Sequence, residues 1–354
     1  MKEQPLLAKI SQSLFILISV GWLLHIGSSI ILPIIFAGML SVFLLPLEKR
    51  VRNAVKIKAV SIIISFVACL IPLFILSFLF SLQLMSILES LPSIGKNLEQ
   101  GLNRLIHNLA HLVPGFSPES LLDPENQSLD GPLSFISKGF VSTTTFLTSF
   151  GLTFLYAFFI LYYRVNIKNF IIYQFAKKTR PEIRQTLTQI KETIQAYLSG
   201  VGIVVIILAI LNSIGLSIIG IKYAIFWGTF AGILAVIPYV GTLIGGILPF
   251  LFALSTADAN WQPIAVVVYY VFIQQIEGNL ITPKIVGNKV DINPMFAILA
   301  IVLFGTFWGV AGIILALPII SILKIFLENF DNTKPYALLM STEIDGGSKS
   351  FEDK

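Results

Sequence analysis

From Ile10 to Leu47 the chain runs for 38 residues without an Asp, Glu, Lys or Arg. A helix needs about 20 apolar residues to cross a hydrocarbon core of roughly 30 Å. The run is therefore too long for one crossing and suits two, divided near Gly27, Ser28 and Ser29. Comparable runs follow at 59–88, 140–163, 198–221, 223–257 and 295–323, and only 12% of all residues are charged, about half the share of an ordinary soluble domain. Barrel strands would show as short alternating segments, and none are present. The fold class that follows is an all-α integral membrane protein.

Charge orients these runs. Glu48 to Lys58 holds five bases (Lys49, Arg50, Arg52, Lys56, Lys58) and one acid, and Arg164 to Lys191 holds seven bases and one acid, Glu182. Basic segments between hydrophobic runs mark the cytoplasmic side, so both are expected there, together with the N- and C-termini. The net charge of +5 has the same origin. It implies no nucleic acid, because no aromatic residues are interleaved with the bases. Residues 89–137 invert the balance, with six acids against two bases, and read as a small extramembrane helical insert. Leu98, Leu102, Leu105, Ile106, Leu109 and Leu112 form the apolar stripe of a surface-lying amphipathic helix there.

The resulting division is 1–88 for helices one to three, 89–137 for the insert and 138–163 for helix four. A basic cytoplasmic segment covers 164–197, helices five to eight cover 198–330, and a disordered tail covers 331–354. The run 223–257 is broken at Pro238-Tyr239-Val240-Gly241 and at Gly245-Gly246, so it is either one crossing with a re-entrant piece or a hairpin. A faint internal echo pairs the Gly228-Thr229-Phe230 and AGILAVIP stretch with Gly305-Thr306-Phe307 and AGIILALP.

One stretch carries chemistry. Between Trp261 and Pro294 an otherwise apolar run gathers Gln274, Gln275, Glu277 and Asn279 around Gly278, then Thr282 and Pro283. A carboxyl at membrane depth costs several kcal/mol unless it is neutral or paired, and such groups usually mark a solute or ion pathway. If Gly278 and Pro283 interrupt the helix, freed carbonyls join the side chains of Gln275, Glu277, Asn279 and Thr282 as ligands for a cation or a polyol. The competing reading places Glu277 at the helix end near the interface, as a structural ion-pair partner of Lys284 or as a hydrogen-bond acceptor.

Other candidates are weaker. His107 and His111 stand four apart with no third metal ligand at a recognisable spacing, and His25 reads as a packed histidine near the first turn. The three histidines and the lone Cys69 are scattered, so no catalytic residue, metal site or cofactor is expected.

The residues IPYVG (Ile237 to Gly241), QxIEGNxxTPKIVG (through Gly287), Pro294 and FGxxWGVAGxxLALP (Phe304 to Pro318, loosely) together resemble the autoinducer-2 exporter family, also called AI-2E or PerM-like permeases. The resemblance implies about eight transmembrane helices, some broken or re-entrant, in a bacterial inner membrane. It further implies a homo-oligomer, with a pentamer the best guess, and outward movement of a small solute such as autoinducer-2, or of a monovalent cation against protons. The family's motif falls here on Pro238, Tyr239, Gly241, Gln275, Glu277, Gly278, Asn279, Pro283 and Pro294. The expected partners are that solute or cation, the proton and the lipid bilayer. The rival expectation is an oligomeric channel or a regulatory membrane scaffold without coupled transport.

Overall fold

The structure is a computed structural model that describes residues 6–112, 143–176, 179–237, 240–257, 259, 261–285, 291–330 and 333–342. The described elements are helices: α1 (Leu6–Ile26), α2 (Ser28–Val55), α3 (Lys58–Leu112), α4 (Thr143–Tyr173), α5 (Arg180–Ile219), α6 (Ala224–Leu234), α7 (Val240–Thr256), α8 (Trp261–Ile276), a π-helical turn (Glu277–Ile281), α9 (Thr282–Ile285), α10 (Pro294–Glu328) and α11 (Lys334–Met340). Among the described residues, six helical stretches are long and apolar enough, by length and composition, to cross a bilayer, and two shorter apolar helices lie at Ala224–Leu234 and Gly241–Thr256. The protein is an all-α membrane protein. It divides into two compact units, unit 1 made of Met1–Phe66, Thr148–Ser199 and Asn288–Lys354, and unit 2 of Val67–Leu147 and Gly200–Gly287.

In unit 1 the first run divides at Gly27, as its small polar residues suggested. The join is a bend, because Gly27 stays near helical (φ −76°, ψ 4°) and its amide and carbonyl still bond Leu23 and Ile31. The stretch Glu48–Lys58, expected as a loop, is helical as far as Val55, where Lys56 in the left-handed region (φ 62°) bonds Arg52 O and ends α2. Glu48 explains why the helix persists. Its side chain is fully buried between Arg52 Nε at 3.0 Å, one turn along α2, and Arg164 Nη1 of α4 at 2.5 Å. Ser61 Oγ of α3 also donates to it at 3.2 Å. The two basic segments are thus joined through one carboxylate. The second of them is likewise mostly helical, carried by the end of α4 and the start of α5. Met39, Ile194 and Leu315 form a small core.

The run 295–323, expected to cross once, turns back on itself. Gly309 has φ 59° and ψ −141°, outside the helical region and open to glycine at little cost. A Cβ placed on Gly312 would collide with the carbonyl oxygen of Phe304, and one on Gly305 would lie 3.0 Å from Ile313. Residues eight apart touch in this way only if the chain reverses at Gly309. The reversal is held by α1, where His25 Nδ1 donates to Phe307 O at 3.0 Å and Trp308 Nε1 to Leu24 O at 2.9 Å.

The tail, expected to be disordered from 331, is helical at Lys334–Met340 and buries Ala337 and Met340. Asn293 caps α10 by accepting from Phe296 N at 3.0 Å, and its amide nitrogen donates to Leu339 O at 2.8 Å. Beside it, Lys324 Nζ meets Asp291 Oδ2 at 2.5 Å, and the amide and hydroxyl of Thr342 donate to Asp291 Oδ1. Desolvation pushes the Asp291 carboxyl up, but hydrogen bonds from Lys324 and Thr342 and the Lys324 charge together bring it down to about 2. A carboxyl held below its free value of about 3.9 contributes stability above that pH and loses it as pH falls toward about 2. Asp291→Asn should therefore loosen α11 at neutral pH, and acidification toward pH 2 should do the same in the wild type. Amide hydrogen exchange at 337–340 reads both, and exchange unchanged in the variant would show that the latch does not depend on this carboxylate.

Unit 2 is an antiparallel arrangement pressed together at glycines. Gly228 and Gly232 of α6 lie against the backbones of Ser213 and Ala209 of α5, and Gly245 and Gly246 of α7 against Ala231 and Tyr270. Gly241 abuts the carbonyl of Leu234, so 223–257 is a hairpin. Its limbs have 11 and 17 residues, about 17 and 26 Å at 1.5 Å per residue. Both fall short of a roughly 30 Å core. The echoed sequences do not occupy matching places in the two hairpins: AGIL precedes the turn in the first and AGIILALP follows Gly309 in the second.

The stripe from Leu98 to Leu112 is helical but continuous with α3, which runs unbroken for 55 residues. Residues 113–142, Pro238 and Tyr239 lie outside the described residues.

Candidate functional site

The stretch singled out by its lone carboxyl lies in unit 2, at the end of α8. Gln262 anchors the start of that helix, its side chain accepting from Ala259 N at 3.1 Å and donating to Ile219 O at 3.0 Å. Farther along, the Tyr269 hydroxyl donates to Leu211 O at 2.8 Å. From there the apolar face of the stretch packs on α5, with Ile273, Ile276, Ile281 and Ile285 against Val204 and Leu208.

The spacing of that face explains the local backbone. Ile276 and Ile281 are five apart, one more than a regular helix keeps on one side, and Leu280 is half exposed. A π-helical turn over Glu277–Ile281 absorbs the extra residue, with Thr282 N bonding Glu277 O. Pro283, which has no amide hydrogen to give, follows in α9. The expected interruption by Gly278 and Pro283 is therefore a widened turn through which the helix continues. Such π insertions are frequent at functional sites.

The turn sorts the side chains. Glu277 is half-buried, whereas Gln275, Gly278 and Asn279 are exposed and Thr282 is half-buried. Asn279 Nδ2 donates to Gln275 O at 3.0 Å and to Gln275 Oε1 at 3.1 Å, so these two amides form one fixed polar pair, while the Glu277 carboxyl takes its side-chain hydrogen bond from Gln274. The ion pairs among the described residues centre on Glu48 and Lys324. Neither Glu277 nor Lys284 takes part in them, and Lys284 is exposed.

The remaining motif residues lie elsewhere. Gly241 makes the close backbone approach inside the first hairpin, and Pro294 is the first residue of α10 in unit 1. Among the described residues no group of three or more His, Cys, Asp and Glu side chains could hold a metal. The ion pairs of Glu48 with Arg52 and Arg164 were not expected from the charge of the two basic segments alone. The signal was there, since Glu48 and Arg52 stand four apart, the spacing of an ion pair on a helix.

Comparison with known proteins adds to this geometry. The profile described as "AI-2E family transporter" matches residues 13–332. The chain is 24% identical over 319 residues to "Putative transport protein YhhT" of Escherichia coli, covering 90% of this chain and 89% of that protein. It is 30% identical over 177 residues to "Putative transport protein YrrI" of Bacillus subtilis, covering 49% of each chain. It is also 27% identical over 126 residues to "AI-2 transport protein TqsA" of Escherichia coli, covering 36% of each. Against YrrI the chain thus spans about half of the relative's length.

Proposed function

Because the chain belongs to the AI-2E family of transporters, we propose that it is a secondary transporter that moves a small polar solute outward, or a monovalent cation, in exchange for protons. The observation that carries this reading is Glu277, a half-buried carboxyl on a π-helical turn of an otherwise apolar helix, with no ion pair to it among the described residues. A structural carboxyl in such a run is expected to be neutralised by a fixed cation. One without a fixed cation, held here by a neutral hydrogen bond from Gln274, can exchange a proton for a ligand as the site faces each side in turn. The exposed Gln275 and Asn279 pair, two positions to either side along the chain, supplies uncharged hydrogen-bonding groups suited to a hydroxylated solute or the oxygen shell of a cation. TqsA bears AI-2 in its name, which makes an autoinducer-2-like solute the first to try. The protein acts as a homo-oligomer, a pentamer, in a bacterial inner membrane, with both termini and both basic segments in the cytoplasm.

The test is flux in proteoliposomes under an imposed pH gradient, with autoinducer-2, sodium and lithium offered in turn. Gradient-driven movement of one of them is expected, and Glu277→Gln should reduce it to the level of protein-free liposomes while expression and membrane insertion stay normal. Wild-type flux in that variant would remove Glu277 from the mechanism. Flux indifferent to the gradient would assign a channel instead.

A further inference from the structure

Inside unit 2, four polar atoms on four helices have no hydrogen-bond partner among the described residues: Gln83 Oε1 of α3, Asn212 Oδ1 of α5, Trp227 Nε1 of α6 and Tyr270 Oη of α8. Native interiors leave few such atoms, because an unmade buried hydrogen bond is costly. These four are grouped. Trp227 and Tyr270 belong to one buried cluster with Leu216. Asn212 sits one turn from Leu216 and one turn from Leu208, which packs against Tyr270 as well. Gln83 lies three residues, about one helical turn, after Phe80, whose ring stacks at 4.3 Å on Phe226, the neighbour of Trp227. Asn212 and Trp227 are also deeply buried, at 4% and 8% exposure.

The chemistry of the four atoms selects what would satisfy them. The indole nitrogen only donates, the two amide oxygens only accept, and the phenol does both. A bare cation leaves the indole unanswered, and an anion leaves the amide oxygens so. A hydroxyl oxygen, which carries no charge, accepts from the indole and the phenol and donates its one hydrogen to an amide oxygen, so a water with two hydrogens or a solute carrying two hydroxyls answers all four. We propose that this layer of unit 2 is a binding site for a hydroxyl, supplied by water or by an uncharged hydroxylated solute. It stands independently of the role proposed for Glu277.

The experiment uses the full chain in nanodiscs, with Trp22, Trp261 and Trp308 replaced by Phe so that Trp227 is the only tryptophan. Its emission is compared in H2O and D2O and titrated with erythritol, an uncharged tetraol. A saturable erythritol response, weakened roughly 3- to 10-fold by Asn212→Leu or Tyr270→Phe as the loss of one neutral hydrogen bond implies, assigns the site to solute. A D2O response without an erythritol response, reduced in the same two variants, assigns it to water. Emission indifferent to both D2O and erythritol, which needs no variant in the layer to observe, overturns the proposal. So does a response that both variants leave unchanged. The same titration on a Glu277→Gln background separates this site from the transport mechanism, because the response should persist there.

Discussion

Gly241→Val and Gly312→Val should each prevent the protein from reaching its folded state. At both positions an added Cβ collides with a backbone carbonyl, that of Leu234 or of Phe304, and no side-chain rotation can relieve such a collision. Overpacking against yielding side chains already costs about 1–3 kcal/mol. Here the whole limb of a hairpin must move away, which removes its packing against the other limb. Set against a typical net stability of about 5–15 kcal/mol, that loss is large. Gly38, Gly151 and Gly202 serve as controls, because a Cβ at any of them meets nothing within 4 Å. Alanine at those three should leave stability unchanged or raise it, given the poor helix propensity of glycine. The yield of monodisperse protein after detergent extraction reads the contrast. If Gly241→Val and Gly312→Val extract as well as the three controls, the hairpins are not packed as described.

Glu48→Ala should be nearly as damaging. The carboxylate is fully buried and holds two arginines from different helices, with Arg164 Nη1 at 2.5 Å and Arg52 Nε at 3.0 Å. Removing one partner of a buried pair typically costs about 3–5 kcal/mol, because the charge left behind has lost both water and counter-charge. Arg164 is partly exposed (22%), which places the expected loss at about 3 kcal/mol, the lower end of that range. Replacing both partners by leucine should restore much of it. A double-mutant cycle on thermal stability, Glu48→Ala against Arg164→Ala, measures the coupling. Additive losses would mean that the short contact contributes nothing.

Much of this architecture could be read from the chain. Charge-free runs located the helices, and Gly27 marked the first division because small polar residues interrupt an otherwise apolar stretch. Glu277 stood out as a carboxyl where none belongs. What escaped was decided by contacts distant in sequence. Met295 to Leu323 contains four features that allow a turn, Gly305, Gly309, Gly312 and Pro318, and nothing local selects Gly309. The choice follows from the approach of Phe304 to Gly312 and from the bonds that Leu24 and Phe307 make with Trp308 and His25. The helical state of Glu48 to Val55 was hidden because a basic block between apolar runs is usually a loop. The π turn left a trace in the five-residue step from Ile276 to Ile281, which looks like noise until the packing face is known.

The bonds between α1 and the tip of the second hairpin also bear on how the protein is made. His25 and Phe307 are 282 positions apart, a delay of roughly 15 to 60 s at about 5–20 residues synthesised per second. For that interval α1 waits in or near the membrane with its later partner still untranslated. Unit 1 therefore closes only after residue 307 has been made, and a ribosome that stalls before it leaves behind an open protein whose first helix lacks its hairpin partner.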